Sequence, residues 1–243
     1  MLRPTHSVPR LRATTIQPDR SMNHEPPSLR SLVFVPAILT LLVTVLRLVG
    51  ELEGWSPLLF GTPNAGGDGA ILGISWLIFV FGLGFGVRVQ RSRAGLARPG
   101  KTLLLSLVPI GLMFGGIALF QALGLVLMPT PEAPGEPQGL PWFFLIAGVA
   151  APVSLVVWPR VGVALLVYAF LARLPVVAVT WLALERGWDT HHVKLPPEFT
   201  APPADELFGV LSIAQVTIWP VLTVVLGTAM AGLGALLAGT RRD

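Results

Sequence analysis

Long apolar blocks separated by short polar spacers dominate this sequence. A helix needs about 20 apolar residues to cross the hydrocarbon core of a bilayer. Blocks of this kind cover residues 32–49, 70–87, 102–128, 140–158, 161–184 and 207–238. They are too long and too uniformly apolar for membrane strands, so we predict a transmembrane helix for each.

The spacers between these blocks alternate in charge. Residues 1–30, 88–101 and 239–243 are rich in arginine. The spacers after the first, third and fifth blocks carry most of the acids. Because cytoplasmic loops carry an excess of Lys and Arg, this alternation places both termini in the cytoplasm. The predicted fold is therefore an all-α integral membrane protein, a six-helix transmembrane bundle with cytoplasmic N and C termini.

The chain divides into a short tail and one membrane domain. We expect residues 1–30 to form a basic, disordered cytoplasmic tail and residues 31–240 to form the six-span domain. Met22 offers an alternative start, which leaves open whether residues 1–21 belong to the native protein. No cleavable signal precedes the first block, so that block is expected to be an uncleaved anchor in a bacterial plasma (inner) membrane.

Composition narrows the functional classes. Only 12% of residues are charged, against about 25% in soluble domains. There is no cysteine, which excludes disulfides, thiolate metal sites and a cysteine nucleophile. We attribute the basic charge to membrane orientation, so lipid rather than nucleic acid is the expected partner. No cofactor or metal is expected.

Small residues at four-residue spacing predict close helix packing within the blocks. Lipid gives helices no hydrophobic reason to associate, so small residues that let backbones approach each other become important. They also leave self-association, or contact with other membrane proteins, as a possible use of these faces. The residues concerned are Gly82 and Gly86, Gly111 and Gly115, and Gly227, Ala231, Ala235 and Gly239.

Prolines interrupt four of the blocks. Each removes a backbone donor and is expected to kink its helix, which leaves carbonyls in need of a partner. They are Pro109, Pro152, Pro175 and Pro220.

Two arginines lie inside apolar blocks. Arg173 is about 12 residues into the fifth block, roughly 18 Å along a helix, where a charge costs about 2.5–3.5 kcal/mol on insertion scales. We expect it to face the interior with Gln121 or Gln215 as a partner, either binding an anionic ligand or holding helices together. Arg47 lies near the end of the first block and is predicted to pair with Glu51 at i+4.

A histidine-containing stretch, "GWDTHHVKLPPEF", separates the last two blocks. Asp189, His191, His192 and Glu198 carry the oxygen and nitrogen donors that zinc uses. Adjacent histidines point apart in regular structure, so both could bind one metal only in a turn. The alternative is an exposed, proline-rich loop on the outer surface, and this is the interpretation that we favour.

No motif identifies an activity. "GLARPGKT" matches the phosphate-loop pattern, but the strand that such a loop requires is absent from the predicted elements. The leading hypothesis is a non-enzymatic protein, either an accessory or scaffold component of a membrane complex or a small-solute permease with Arg173 lining its path. The alternative is a membrane enzyme with an outer-face site around Asp189, His191 and His192.

Overall fold

The computed structural model describes residues 25–62 and 64–239, and these form helices and turns without β-strands. Residues 1–24 of the predicted tail lie outside the described part. A π-helical turn (Gly111–Gly115) joins α4 to α5, and 3₁₀ turns cover Ala65–Gly69 and His191–Val193. The helices are α1 (Leu29–Leu52), α2 (Pro57–Phe60), α3 (Leu77–Gln90), α4 (Pro99–Ile110), α5 (Gly116–Ala122), α6 (Leu140–Val157), α7 (Pro159–Arg186), α8 (Leu207–Val216) and α9 (Ile218–Ala238).

Among the described residues, five helical segments are long and apolar enough to cross a membrane. They are α1, α4 with α5, α6, α7, and α8 with α9. The predicted block 70–87 gives a shorter apolar helix, because α3 begins only at Leu77 and has 14 residues. The preceding residues turn instead, with the Ile71 amide donating to the Leu58 carbonyl at 3.1 Å. The fold is an all-helical integral membrane protein.

Two of the four predicted proline kinks coincide with interruptions in regular helix. The π-helical turn follows Pro109, and Thr217, at φ −118° and ψ −68°, separates α8 from α9 just before Pro220. The other two prolines, Pro152 and Pro175, lie within α6 and α7, which continue through them. The sixth block is therefore two helices joined at a break.

Hydrogen bonds gather the arginine-rich segments at one end of the bundle, which we call the basic end. Arg160, at the start of α7, donates to the Pro27 carbonyl at 3.1 Å. Arg88, near the end of α3, donates to the Ser31 carbonyl at 2.6 Å. The Gly239 carbonyl, just after α9, accepts a bond from α3 at 3.1 Å. The starts of α1 and α7 and the ends of α3 and α9 thus lie together.

The opposite end, which we call the loop end, contains residues 53–62, 64–76, 123–139 and 187–206. Its segments bond to one another: the Gly135 amide donates to the Glu198 carbonyl, and the Thr200 amide donates to the Gly135 carbonyl, both at 2.9 Å. α1 and α7 both finish at this end, so they run in the same direction.

The central helix is α9, which packs against α3, α4, α6, α7 and α8. A Cβ atom on Gly86 would lie 1.9 Å from the Ala231 carbonyl oxygen, and Ala231 and Ala235 are fully buried. Close packing of the second and sixth blocks through small residues is therefore confirmed. The same expectation is wrong for Gly111 and Gly115, which have no described neighbour within 4 Å of an added Cβ.

The contact between α1 and α7 has a polar link in its core. The Tyr168 hydroxyl and the Thr40 hydroxyl lie 2.9 Å apart, and both residues are buried. The Tyr168 ring also makes edge contacts with Phe81 and Phe85 of α3, with centroids 5.3 and 6.2 Å away. This cluster fixes the register of α1 against α7.

Candidate functional site

A cavity of about 270 Å³ lies between α1, α7, α8 and α9 towards the loop end. Its walls are built from Thr44 and Arg47 of α1, Arg173 and Thr180 of α7, and Gln215 of α8. Trp219, just past the α8–α9 break, and the turn containing His191 and His192 also line it. The cavity thus brings together polar side chains from segments that are far apart in sequence.

Arg173 is the buried cation of this cavity. It lies about 13 residues, or roughly 20 Å, before the end of α7 at Arg186, and only 5% of its surface is exposed. Its Nη1 donates to Gln215 Oε1 at 3.2 Å, and its guanidinium carbon lies 4.1 Å from the centroid of the Trp219 ring. Stacking on tryptophan stabilises a desolvated cation.

Most of the Arg173 donors have no acceptor among the described residues. A guanidinium carries five N–H groups, and the described part of the chain offers Arg173 a single hydrogen bond, to Gln215. No described carboxylate lies within 4 Å of it. The remaining N–H groups are therefore available to a ligand or to water in the cavity.

The structure separates the two glutamines that were expected near Arg173. Gln215 makes the contact, whereas Gln121 is exposed near the end of α5 and does not line the cavity. Gln121 lies inside the predicted third block, which covers residues 102–128. The helix ends at Ala122, so Gln121 lies at its last turn.

Arg47 and Glu51 do not form the predicted direct pair: no described carboxylate lies within 4 Å of Arg47, although Glu51 interacts with it electrostatically. Arg47 Nε donates to the Phe60 carbonyl at 3.1 Å and its Nη2 to the Gly66 carbonyl at 3.3 Å. The Glu51 carboxylate instead accepts the His191 amide at 2.7 Å and contacts His191 Nδ1 at 2.6 Å. The Glu51 side chain is 1% exposed, and the contacts with two groups of His191 satisfy this buried carboxylate.

The four candidate loop residues do not form one cluster. Asp189 Oδ1 lies 2.5 Å from Lys194 Nζ, with both side chains exposed, and His191 is held by α1. In the described ranges, no three His, Asp or Glu side chains are placed to hold a metal ion, so Asp189, His192 and Glu198 are not brought together. The expectation of an exposed loop is also wrong at His191, whose side chain is 12% exposed.

His192 is an unpaired ring beside the cavity. Its centroid lies 3.9 Å from that of His191, and its buried Nε2 has no hydrogen-bond partner in the described part of the protein. Burial, with smaller contributions from the charges of His191 and Arg47, lowers the pKa of His192 to about 3. The ring is therefore neutral near pH 7.

The electrostatic balance of the described lining is positive. Lys194 is paired with Asp189 at 2.5 Å, the Glu51 carboxylate contacts His191, and His192 is neutral. No described carboxylate lies within 4 Å of Arg47 or Arg173. The arrangement favours an anion and disfavours a cationic ligand.

Two of the lining residues carried no usable signal in the sequence. Trp219 lies in an apolar block. Tryptophan is common in membrane helices near the interface, so nothing in the sequence marks this ring as the one that stacks on Arg173. Lys194 lies in the spacer between the last two blocks, where a charged residue is ordinary. Trp219 lies four positions after Gln215, but the break at Thr217 puts the two residues on different helices, so helical spacing does not predict their shared cavity.

Comparison of the chain with protein-family models, with curated proteins and with solved structures found no match. The functional conclusion therefore rests on the cavity and on the residues that line it.

Proposed function

We propose that this chain is a small-solute permease that binds an anionic solute in the cavity, with Arg173 as the principal contact. The observation that carries the proposal is a desolvated guanidinium with unused donors at the border of a cavity. A charge at mid-membrane is tolerated where it meets a partner, water or a ligand. The described protein supplies one hydrogen bond from Gln215 and one stacked ring, so a bound anion would provide the missing acceptors.

The helix break beside the cavity supports transport over a static role. Thr217 separates α8 from α9, and the cavity residues Gln215 and Trp219 flank it on either side. Discontinuous helices near the middle of the membrane are a recurring feature of transporter binding sites, and irregular backbone there is tolerated where it lines a cavity. A break at this position gives α8 a hinge next to the bound solute.

The proposal includes a topology. We take α3, about 21 Å long, as a sixth crossing completed by residues 70–76, which places both termini in the cytoplasm of a bacterial inner membrane. The positive-inside rule favours the basic end as the cytoplasmic one. A reporter fused after Gly135 should register as external and one fused after Gly95 as cytoplasmic. The reverse at either point would contradict this topology.

A scaffold role is the alternative that has its own supporting observation. The contacts of Arg173 with Gln215 and Trp219 join α7 to both parts of the broken helix. An arginine that only holds helices together would make these same contacts. Such a protein would function as an accessory component of a membrane complex and would bind no solute at this position.

The enzyme alternative has less support. Asp189 is paired with Lys194 at 2.5 Å, and the backbone amide and ring Nδ1 of His191 both contact Glu51. His192 is neutral and buried. A hydrolytic or metal-assisted site would require these side chains to leave their present partners.

Uptake by proteoliposomes tests the proposal. Purified wild-type protein, Arg173→Leu and Arg173→Lys are reconstituted, and uptake of acetate, lactate, phosphate and sulfate is measured. We expect uptake of at least one anion to fall to the level of empty vesicles in Arg173→Leu. Lysine keeps the charge but loses the planar fork, so Arg173→Lys should retain a fraction of the activity.

The matched control is Arg186→Leu, which removes an exposed arginine from the same helix. It should leave uptake unchanged. If wild type and Arg173→Leu take up every anion at the same rate, the permease proposal is wrong and the scaffold role takes its place. Thermal unfolding followed by tryptophan fluorescence should show that Arg173→Leu remains folded.

A further inference from the structure

We infer that the group recognised in the cavity is a dianionic phosphate, bound jointly by Arg47 and Arg173. This inference rests on the proposed function and specifies the class of solute. Its evidence is the depth of the two arginines, their unused donors and the fact that no described carboxylate contacts either guanidinium.

The two arginines stand at nearly the same depth on facing helices. α1 and α7 run in the same direction, and the contact between Thr40 and Tyr168 at 2.9 Å fixes their register. Arg47 comes seven residues after the first and Arg173 five after the second. Their Cα atoms therefore differ by only about 3 Å along the bundle. Because both line the same cavity, one compact group can lie between them.

The unused donors of both side chains exceed what a carboxylate can accept. Arg47 uses two N–H groups on the Phe60 and Gly66 carbonyls, and Arg173 uses one on Gln215. Each guanidinium has five, so most of both donor sets is free of described acceptors. A carboxylate offers two oxygens, whereas a phosphate group offers three strong acceptor oxygens. Guanidinium groups also match phosphate geometry with paired hydrogen bonds.

The charge of the two arginines points to the same ligand. Lys194 faces Asp189 at 2.5 Å, the Glu51 carboxylate contacts His191 and neither arginine, and His192 is neutral. Glu51 interacts electrostatically with Arg47 without contacting it, and a monoanion would bring a single charge to two guanidinium groups in a site of low dielectric, where unpaired charge is costly. A phosphate monoester carries a charge of about −1.5 to −2 at pH 7, which balances both.

The size of the cavity limits what is attached to the phosphate. Its volume of about 270 Å³ lies at the lower end of ligand pockets, which span roughly 300–1,000 Å³. The phosphate therefore carries a small substituent, or it is the headgroup of a phosphomonoester lipid whose tails remain outside. These two sources share one recognition chemistry.

Methyl phosphate and methyl sulfate provide a test of charge at constant shape. Both are compact and tetrahedral, but methyl sulfate is a monoanion. Binding to the full-length protein in detergent is measured by calorimetry at pH 7.5. We expect methyl phosphate to bind at least tenfold more tightly. Its affinity should fall about fourfold at pH 5.5, because a second pKa near 6 leaves only part of it dianionic, while methyl sulfate should change little.

Variants of the two arginines then assign the contacts. In Arg47→Gln the preference for methyl phosphate should shrink to threefold or less, and Arg173→Gln should abolish binding of both anions. Arg47 also holds the segment containing Phe60 and Gly66, so Arg47→Lys provides a second variant that keeps the charge and should keep the preference. The wild-type ratio of the two affinities tests the inference even if Arg47→Gln fails to fold.

The outcomes separate the inference from the proposed function. Equal affinities for the two anions, both lost in Arg173→Gln, would overturn the phosphate inference and leave an anion site in place. No binding of either anion, together with no effect of Arg173→Gln, would overturn both.

The source of the phosphate is distinguished with vesicles. Protein is reconstituted in phosphatidylcholine with either phosphatidic acid, a phosphomonoester, or phosphatidylglycerol, a monoanionic phosphodiester. If phosphatidic acid alone blocks methyl phosphate binding, the recognised group is a lipid headgroup. If neither lipid competes, it is a soluble phosphomonoester. Competition by both lipids to the same extent would contradict the requirement for a dianion.

Discussion

Replacing Gly86 with alanine should force apart the two most closely packed helices of the bundle. The new Cβ would lie 1.9 Å from the Ala231 carbonyl oxygen and 2.7 Å from its Cα. These are backbone atoms, so no rotamer change relieves the overlap. Favourable contact between heavy atoms begins near 3.5 Å, which requires a local separation of about 1.5 Å between α3 and α9.

The cost of that separation follows from lost dispersion. A gap of up to 1 Å already removes between a quarter and a half of the attraction between two atoms. If about 50 atom pairs at about 0.15 kcal/mol each lose about 40% of it, the interface loses about 3 kcal/mol. Alanine is better than glycine in a helix by about 1 kcal/mol. We therefore expect Gly86→Ala to lower the free energy of unfolding by about 2 kcal/mol.

Gly84→Ala is the matched control on the same helix. An added Cβ at Gly84 meets no described atom within 4 Å, so only the helix-propensity gain of about 1 kcal/mol remains. The difference between the variants is then about 3 kcal/mol, or roughly 6–12 °C in Tm for a chain of this size. Tryptophan fluorescence can follow unfolding without labels, since the chain has 7 tryptophans. Equal Tm values for the two variants would refute the close α3–α9 contact.

Two further predictions concern the loop end. Burial holds the pKa of His192 at about 3, below its ordinary value near 6.5, so the unfolded state binds a proton first as pH falls. Stability should therefore decrease from pH 6.5 downwards, by about 2 kcal/mol at pH 5, and His192→Gln should flatten this dependence; an unchanged slope would contradict the burial of the ring. Glu51→Ala removes two charge-assisted contacts to the loop, each worth about 1.5–3 kcal/mol. Lysyl endopeptidase should then cut after Lys194 at least about tenfold faster, whereas the exposed neighbour Glu53→Ala should leave the rate unchanged.

Hydropathy predicted where helices occur better than where they end. The third block was predicted to continue to residue 128, but α5 stops at Ala122, because Gly124 takes φ +69° and the following residues pair with the loop near Gln138. In the second block the helix begins later than predicted, at Leu77 instead of residue 70. In both regions the apolar residues continue past the helix. A left-handed glycine or a turn ends regular structure without lowering hydropathy.

The site was predictable only where one residue broke a local rule. Arg173 could be identified because a charged residue inside an apolar block is unusual, whatever the rest of the chain contains. The contact of Glu51 with His191 joins residues 140 positions apart, and no pattern in either segment encodes it. The helical i+4 spacing favoured Arg47 as the partner of Glu51, but tertiary packing supplied two better-placed donors. Local spacing predicts neighbours on one helix and not the loop that folds over it.

The hydrogen bonding of Arg173 supports a functional role over a structural one more strongly than its depth in the bundle does. A guanidinium retained only to hold helices together gains from every donor that finds an acceptor, because each unpaired buried donor costs free energy. Tyr168, one turn below on α7, illustrates the structural case: its hydroxyl is matched by Thr40 and its ring by two phenylalanines. Arg173 has one hydrogen bond and one stacked ring among described residues. This deficit beside a cavity supports the proposal that the missing acceptor is a bound anion.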